Sequence, residues 1–525
     1  MLDSARTIPY NLGHQIRSLL DPFSFNKRTA RNQMNVILLV FVLLYLVGTL
    51  GIGVWAGSRI KNTEDFAVAG HSLPLYMVIT TSFATWFGAE TVMGIPAKFI
   101  KGGLANVVED PFGASMCLVL VGVFFATRLY KMHLLTIGDF YRKRFGVPVE
   151  ILCSVIIILS YLGWVGAQIT ALGLVFSILS GGAISPAWGM VIGTVLVLIY
   201  VMIGGMMAVA YTDFVQMIVL VLGMSYIAWY SADLVGGADK VFAMATEKNL
   251  YRILPESNPK AWMFFIASAI TMMLGSIPQQ DVFQRVMSAK NVNAARYGAV
   301  IGGLCYLAFA FVPMFIVASA LLVMPEHATE LLENDAQKVL PKMIMEHMPL
   351  IVQILFFGAL VSAIKSCSSA TLLAPSTSFV ENILRHLVPG LSDKQLLKAM
   401  RISIFSFTAM VLTYAILSQG TSIYDLVSSA YQITLVGCFV PLTFGLYWKR
   451  ATTQGALLSI ALGIICWAPF MFAPQLSAFI PALEGIDKEI PPQLVGLSAA
   501  LFGMIAGSLG PQYIRNQCNL DSEAQ

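Results

Sequence analysis

Two long apolar stretches of this chain are interrupted in ways that free backbone groups for chemistry. One begins Leu73-Pro74-Leu75-Tyr76 and, about a dozen residues in, reads Phe87-Gly88-Ala89-Glu90, with Gly94 and Pro96 close behind. The other begins near Ala261-Trp262 and breaks at Gly275-Ser276-Ile277-Pro278-Gln279-Gln280. Gly and Pro release carbonyls and amides that lipid cannot satisfy, and paired interruptions in two halves of a chain mark a transporter's binding site. The plainer reading is a pair of kinks in packed helices. Freed carbonyls suit a hard cation such as Na+, and a carboxylate at the first break, Glu90, can neutralise a cationic solute or satisfy the freed amides instead. Trp86 and Trp164 can form part of a cation–π box, with lipid-facing or core packing as the alternative for each. Lys365 lies about 16 residues, on the order of 24 Å, along an apolar helix beginning near Pro349. An ammonium at that depth costs several kcal/mol unless it is paired or wetted.

The elements that must position these residues are membrane helices. The 525 residues are 57% hydrophobic and 11% charged, with a mean hydropathy of +0.76. A water-soluble chain carries about 25% charged residues, so a soluble enzyme, a nucleic-acid binder and a disordered chain are excluded. A net charge of +4 is too small to imply a polyanionic partner. With about 20 apolar residues per crossing, thirteen candidate spans appear near 34–57, 74–99, 108–129, 148–180, 184–203, 207–235, 261–285, 294–324, 349–383, 399–418, 422–447, 452–474 and 491–511. No apolar stretch has the flanks of a cleaved signal peptide. Six of the seven cysteines (Cys117, Cys153, Cys305, Cys367, Cys438, Cys466) lie in apolar runs without metal-ligand spacing and read as packing residues. Neither a phosphate loop nor a nucleophile triad appears, so no enzymatic activity is expected.

Placing the N-terminus outside puts seventeen Lys and Arg on inner loops against nine on outer ones, the sense that the positive-inside rule favours. The basic N-terminal tail (Arg6, Arg17, Lys27, Arg28, Arg31) departs from that rule, and a short surface helix is expected around Ile8–Leu20. The organisation expected is a tail over 1–33, one transmembrane domain over 34–511 with repeats at about 74–235 and 261–447, and a short cytoplasmic tail over 512–525.

Six motifs in order resemble the sodium:solute symporter family, from Asp65 to about Leu458. They are Glu64-Asp65-Phe66-Ala67-Val68-Ala69-Gly70-His71-Ser72-Leu73; Thr136-Ile137-Gly138-Asp139-Phe140 with Arg144-Phe145-Gly146; and Gly204 to Gln216. Phe283-Gln284-Arg285, Val361-Ser362-Ala363-Ile364 and Gly445-Leu446-Tyr447-Trp448-Lys449-Arg450 complete the set. His71 stands where the family usually has arginine. The resemblance implies an all-α polytopic membrane protein with the leucine-transporter-type 5+5 inverted repeat, one extra N-terminal helix and two C-terminal ones, 13 transmembrane helices in all. Val209–Gln216, Gly275–Arg285 and Trp164-Val165-Gly166-Ala167 are similar to the high-affinity choline transporter branch. Gln279 replaces a tryptophan of that branch, so one wall of the expected quaternary-ammonium cage is missing.

The resemblance also implies an ion site. In sodium-coupled relatives one Na+ is held by carbonyls at the first break, a carbonyl of a later helix and two hydroxyls there. The matching positions are Ala84, Phe87, Ala363, Ser366 and Cys367, the last a soft thiol where a hydroxyl is usual. Lys365 shares a face with Ser369, and in relatives that face looks toward an aspartate that is Asp213 here. Lys365 is therefore expected either to replace the cation, pairing with Asp213 or filling the site, or to snorkel into an inner vestibule while Na+ still binds. In the first case protons, exchanged at Lys365 or Asp213, or no ion at all would drive transport. The solute site should lie beside the breaks, lined by Trp86, Glu90, Trp164, Gln168, Gln279, Gln280 and Tyr431. Asp281 and Asp425 read as interfacial. The function implied is a symporter of a small organic solute, an amine or quaternary ammonium, in the plasma (cell inner) membrane. It would need no cofactor beyond Na+ or H+ as coupling ion. A non-transporting solute sensor on the same fold is the other reading.

Overall fold

An apolar run in lipid can satisfy its backbone only by bonding to itself, and the apolar runs of this chain are helices. The structure, a computed structural model, describes residues 36–515 apart from 59, 478, 482 and 483. The expected surface helix at 8–20, the basic tail and the end of the C-terminal tail lie outside the described residues. The spans are α1 (Val36–Gly57), a broken pair α2 (Leu75–Trp86) and α3 (Ile95–Gly102), α4 (Leu104–Tyr130), α5 (Val147–Leu179) and α6 (Pro186–Leu234). A second broken pair follows, α7 (Pro259–Gly275) and α8 (Gln280–Ser288). Then come α9 (Val292–Val323), α10 (Leu350–Phe379), α11 (Asp393–Leu417), α12 (Ile423–Tyr447), α13 (Thr453–Met471) and α14 (Pro492–Leu509). Ten helices among the described residues are long and apolar enough to cross a membrane, and the bent pair α7–α8 makes an eleventh candidate. Large apolar side chains such as Leu222, Trp229, Phe405 and Phe502 stand exposed on these helices, which water would penalise and lipid does not.

The 49 residues of α6 would extend about 73 Å as one rod, more than twice the bilayer core. They do not, because Gly205 sits at φ 51° and ψ −160°. The turn there brings the hydroxyls of Tyr200 and Thr212 to 2.5 Å, a contact that a straight helix cannot make across twelve residues. A Cβ on Gly205 would also meet the Phe66 carbonyl at 2.8 Å, so only glycine fits. The candidate spans at 184–203 and 207–235 are the two arms of this turn.

Both broken pairs are open where the sequence is rich in Gly and Pro. α2 ends at Phe87 (φ −88°, ψ 74°) and helix resumes at Glu90. Between α7 and α8 lie Ser276 to Gln279, and the axis bends by 46°. The start of α2 meets the end of α8 in a short parallel bridge between Leu73 and Ala289: Leu73 donates to the Ser288 carbonyl and Lys290 donates to that of Leu73, both at 2.9 Å. From this shared end, one break is roughly fourteen residues along α2 and the other is ten to thirteen back along α8, so they lie at similar depth. All nine residues of α8 are buried, which puts the second break in the protein interior, where unsatisfied backbone can be met by side chains.

Candidate functional site

The α2 break is the floor of an aromatic box. Helix α2 presents Trp86, α5 presents Trp164 and α12 presents Tyr431, each no more than 1% exposed. Trp86 stacks on Tyr431 at 5.7 Å, and Trp164 lies 5.7 Å from Trp86 and 5.4 Å from Tyr431. Tyr161 and Tyr306 extend the cluster, stacked on Trp164 at 6.0 Å and tilted 6.4 Å from Trp86. Tyr431 also reaches the second break, since a Cβ on Gly275 would meet its carbonyl at 2.4 Å. One helix thus touches both interruptions. The Tyr431 hydroxyl is buried without a hydrogen-bond partner.

Glu90 stands within this box. Gln168 donates to its Oε2 at 2.5 Å and the Trp164 indole donates to Oε1 at 3.4 Å. Gln168 in turn accepts from the Ala89 amide at 2.9 Å, so the glutamine satisfies one amide freed by the break. Glu90 has no Lys or Arg partner among the described residues, and it is 1% exposed. Glu90, Gln168 and Cys367 all converge on Gly88: a Cβ there would sit 2.7, 2.9 and 3.0 Å from their tips.

The second break is arranged differently from expectation. Gln279 donates to Ser160 at 2.9 Å and leans toward Thr434, one turn past Tyr431. Gln280 does not face the box: its oxygen accepts from the Ile137 amide at 2.8 Å and so caps the helix Ile137–Phe145. Asp281, read as interfacial, is fully buried. Tyr161 donates to it at 2.5 Å, and its own amide donates back to the Tyr161 oxygen at 2.9 Å. Asp425 is at the surface, paired to Lys98 at 2.8 Å. Cys305 is exposed and not packed. Asp281, Tyr161 and Tyr306 are site neighbours that no spacing pattern singled out.

Of the expected ion-site positions, Ala84 and Phe87 flank the first break, and Ala363, Ser366 and Cys367 are buried on α10. Ser366 donates a very short hydrogen bond to Asp213, and Thr81 of α2 donates to the other carboxylate oxygen at 2.7 Å. α2, α6 and α10 are therefore joined through one aspartate. Lys365 is not part of this junction. Its Nζ lies 4.1 Å from the centre of the Tyr200 ring, buried and without a hydrogen-bond partner, and no ion pair joins it to Asp213. It faces a small slot between α1 and α6 lined by Leu46, Val47 and Thr49. Nor does it bond to Ser369 through its ammonium; that hydroxyl donates to the Lys365 carbonyl at 2.6 Å.

Comparison with known proteins follows the same lines. Residues 66–463 match the profile of the sodium:solute symporter family. The chain is 29% identical over 513 residues to the high-affinity choline transporter 1 of Torpedo marmorata, covering 91% of this chain and 85% of that one. It is 25% identical over 489 residues to a sodium/glucose cotransporter of Vibrio parahaemolyticus, covering 85% and 86%. A solved Na+-coupled sialic acid symporter in a substrate-bound, outward-open state superposes with a TM-score of 0.75 at 20% identity, over 91% of this chain and 99% of the other. The fold is thus the all-α, leucine-transporter type.

Proposed function

The chain belongs to the sodium:solute symporter family, and on that footing we propose that its solute is a small organic cation, an amine or quaternary ammonium. It is a multi-pass membrane protein and a secondary active symporter, not an enzyme. One observation carries the choice of solute. Glu90 is a buried carboxylate with no basic partner among the described residues, bonded to the Trp164 indole of the cluster that Trp86, Trp164 and Tyr431 form. An uncompensated charge among ring faces is unfavourable on its own and matches an alkylammonium, whose attraction to each ring is worth about 0.5–2 kcal/mol. Likeness to choline transporters supports the same class, while likeness to a sugar carrier keeps the family's range in view.

Sodium is the coupling ion in this reading, bound near Asp213, Thr81 and Ser366 with carbonyls of the α2 break. Support comes from Lys365 lying over Tyr200, which leaves the Asp213 junction to hydroxyl ligands. Replacement of Na+ by the Lys365 ammonium would require that side chain to leave the ring and reach Asp213. The working unit is the domain over 34–511 in the plasma membrane, with the N-terminus outside and the C-terminus cytoplasmic, as the Lys and Arg counts favour.

A thermal-shift screen of the purified protein against amines, amino acids, sugars and carboxylates tests the reading. Choline or a related ammonium should raise the melting temperature with a concentration dependence that matches saturable uptake. Stabilisation by a sugar or carboxylate and not by any amine would contradict it. Binding of an ammonium without flux would make the protein a sensor.

A further inference from the structure

At the end of the molecule that the Lys and Arg counts place outside, a cavity of about 840 Å3 opens between α3, α4 and α12. Its wall includes Lys98, Glu109, Tyr424, Asp425 and Ser428. The Lys98 ammonium pairs with Asp425 at 2.8 Å and lies 5.2 Å from the centre of the Tyr424 ring. Glu109, 5% exposed, accepts from the Ser428 hydroxyl at 2.8 Å through one oxygen, while the other oxygen is buried with no partner. An alkylammonium of the chain itself thus occupies a place with a ring face and a carboxylate, beside a second carboxylate that lacks a full complement of partners.

We propose that this place is an outer binding site for an organic monocation, formed by Tyr424, Glu109, Asp425 and Ser428, which the side chain of Lys98 fills until a solute ammonium displaces it. It rests on the reading that the solute is a cation, and it adds a second station separate from the Glu90 box. The ring face and the carboxylates supply the attraction, and the orphaned Glu109 oxygen supplies an acceptor that the lysine leaves unused. Lys101, Lys248 and Arg252 also border the cavity, so its rim as a whole does not draw cations; the selectivity belongs to the Tyr424 end. From there buried polar groups extend inward. Asp110, next to Glu109, accepts from the Tyr306 hydroxyl at 2.6 Å; that hydroxyl is 3.0 Å from Thr91, which donates to the Trp86 carbonyl at 2.9 Å.

The experiment is equilibrium binding of radiolabelled choline to the full chain in lipid nanodiscs. A Trp86→Ala, Glu90→Gln protein removes the inner box. It should retain one weaker, saturable site; adding Lys98→Ala should tighten that site about tenfold, and adding Glu109→Gln should weaken it about tenfold. The Lys98→Ala gain cannot come from misfolding. If the wild type binds choline but the box variant binds none, or binds with no response to Lys98→Ala, the outer site is overturned and the box stands. Undiminished binding to the box variant would overturn the box and leave the outer site in place. If the wild type binds no ammonium compound, both readings fail together.

Discussion

The behaviour of Glu90 follows from its surroundings. Its two oxygens take bonds from Gln168 and Trp164, neither of which neutralises its charge. Replacing it by glutamine keeps the shape and one acceptor but removes the charge that a bound ammonium would meet. Glu90→Gln should therefore lower kcat/KM for choline about 100-fold, equivalent to ~2.7 kcal/mol, whereas Trp86→Phe, which keeps a ring, should cost less than tenfold. Initial rates of uptake in proteoliposomes measure both, and equal losses in the two variants would argue against a charge-specific role. In the proposed ion site Cys367 would be a weak ligand, and Lys365 is a buried charge near that site though not bonded to Asp213. Lys365→Met with Cys367→Thr should lower the Na+ concentration needed for half-maximal stimulation about tenfold; an unchanged Na+ response would place neither residue near the ion. Trp86 and Glu90 were legible in the sequence because each adjoins a visible break; Trp164, with Gln168 one turn on, was placed by the resemblance of the run Trp164-Val165-Gly166-Ala167. Tyr161 and Tyr306 were not, because each sits in an unbroken apolar helix and joins the site only through packing against α2 and α8. Asp281 looked interfacial because it sits near a helix end; burial of the whole of α8 is a tertiary fact that local composition does not carry.

At the scale of elements, the apolar runs set where the helices lie, since lipid leaves the backbone no other partner. The breaks were visible as Gly and Pro in both repeats. Their partners were not: Gln280 was expected in the solute site but caps the helix Ile137–Phe145, a loop element that no apolar ruler detects. The turn at Gly205 is an exacting backbone position. Gly205→Ala places a side chain at positive φ and against the Phe66 carbonyl, at a cost of about 1–3 kcal/mol. The detergent-solubilised variant should melt several degrees below the wild type, while alanine at Gly48, which has open space around it, should melt within a degree or so of it. Similar melting of the two variants would mean that α6 tolerates a different turn.

For the molecule as a whole, the arrangement of charge is more informative than its total. Glu90, Glu109 and Asp110 are buried at or above the first break, toward the proposed outer side, with no basic partner among the described residues. Lys365 and Arg285 lie buried nearer the other end, with Asp213 and Asp281 beside them. A net charge of +4 hides this sorting, which composition alone does not reveal. It suits a path that admits a positive solute and then completes an ion junction joining α2, α6 and α10. The most direct test is accumulation of radiolabelled choline in proteoliposomes under an imposed inward Na+ gradient, compared with a pH gradient of the same size. Concentrative, saturable uptake driven by Na+ and absent from the Glu90→Gln protein is the result expected. Accumulation driven by the pH gradient alone, or none under either gradient, would contradict it.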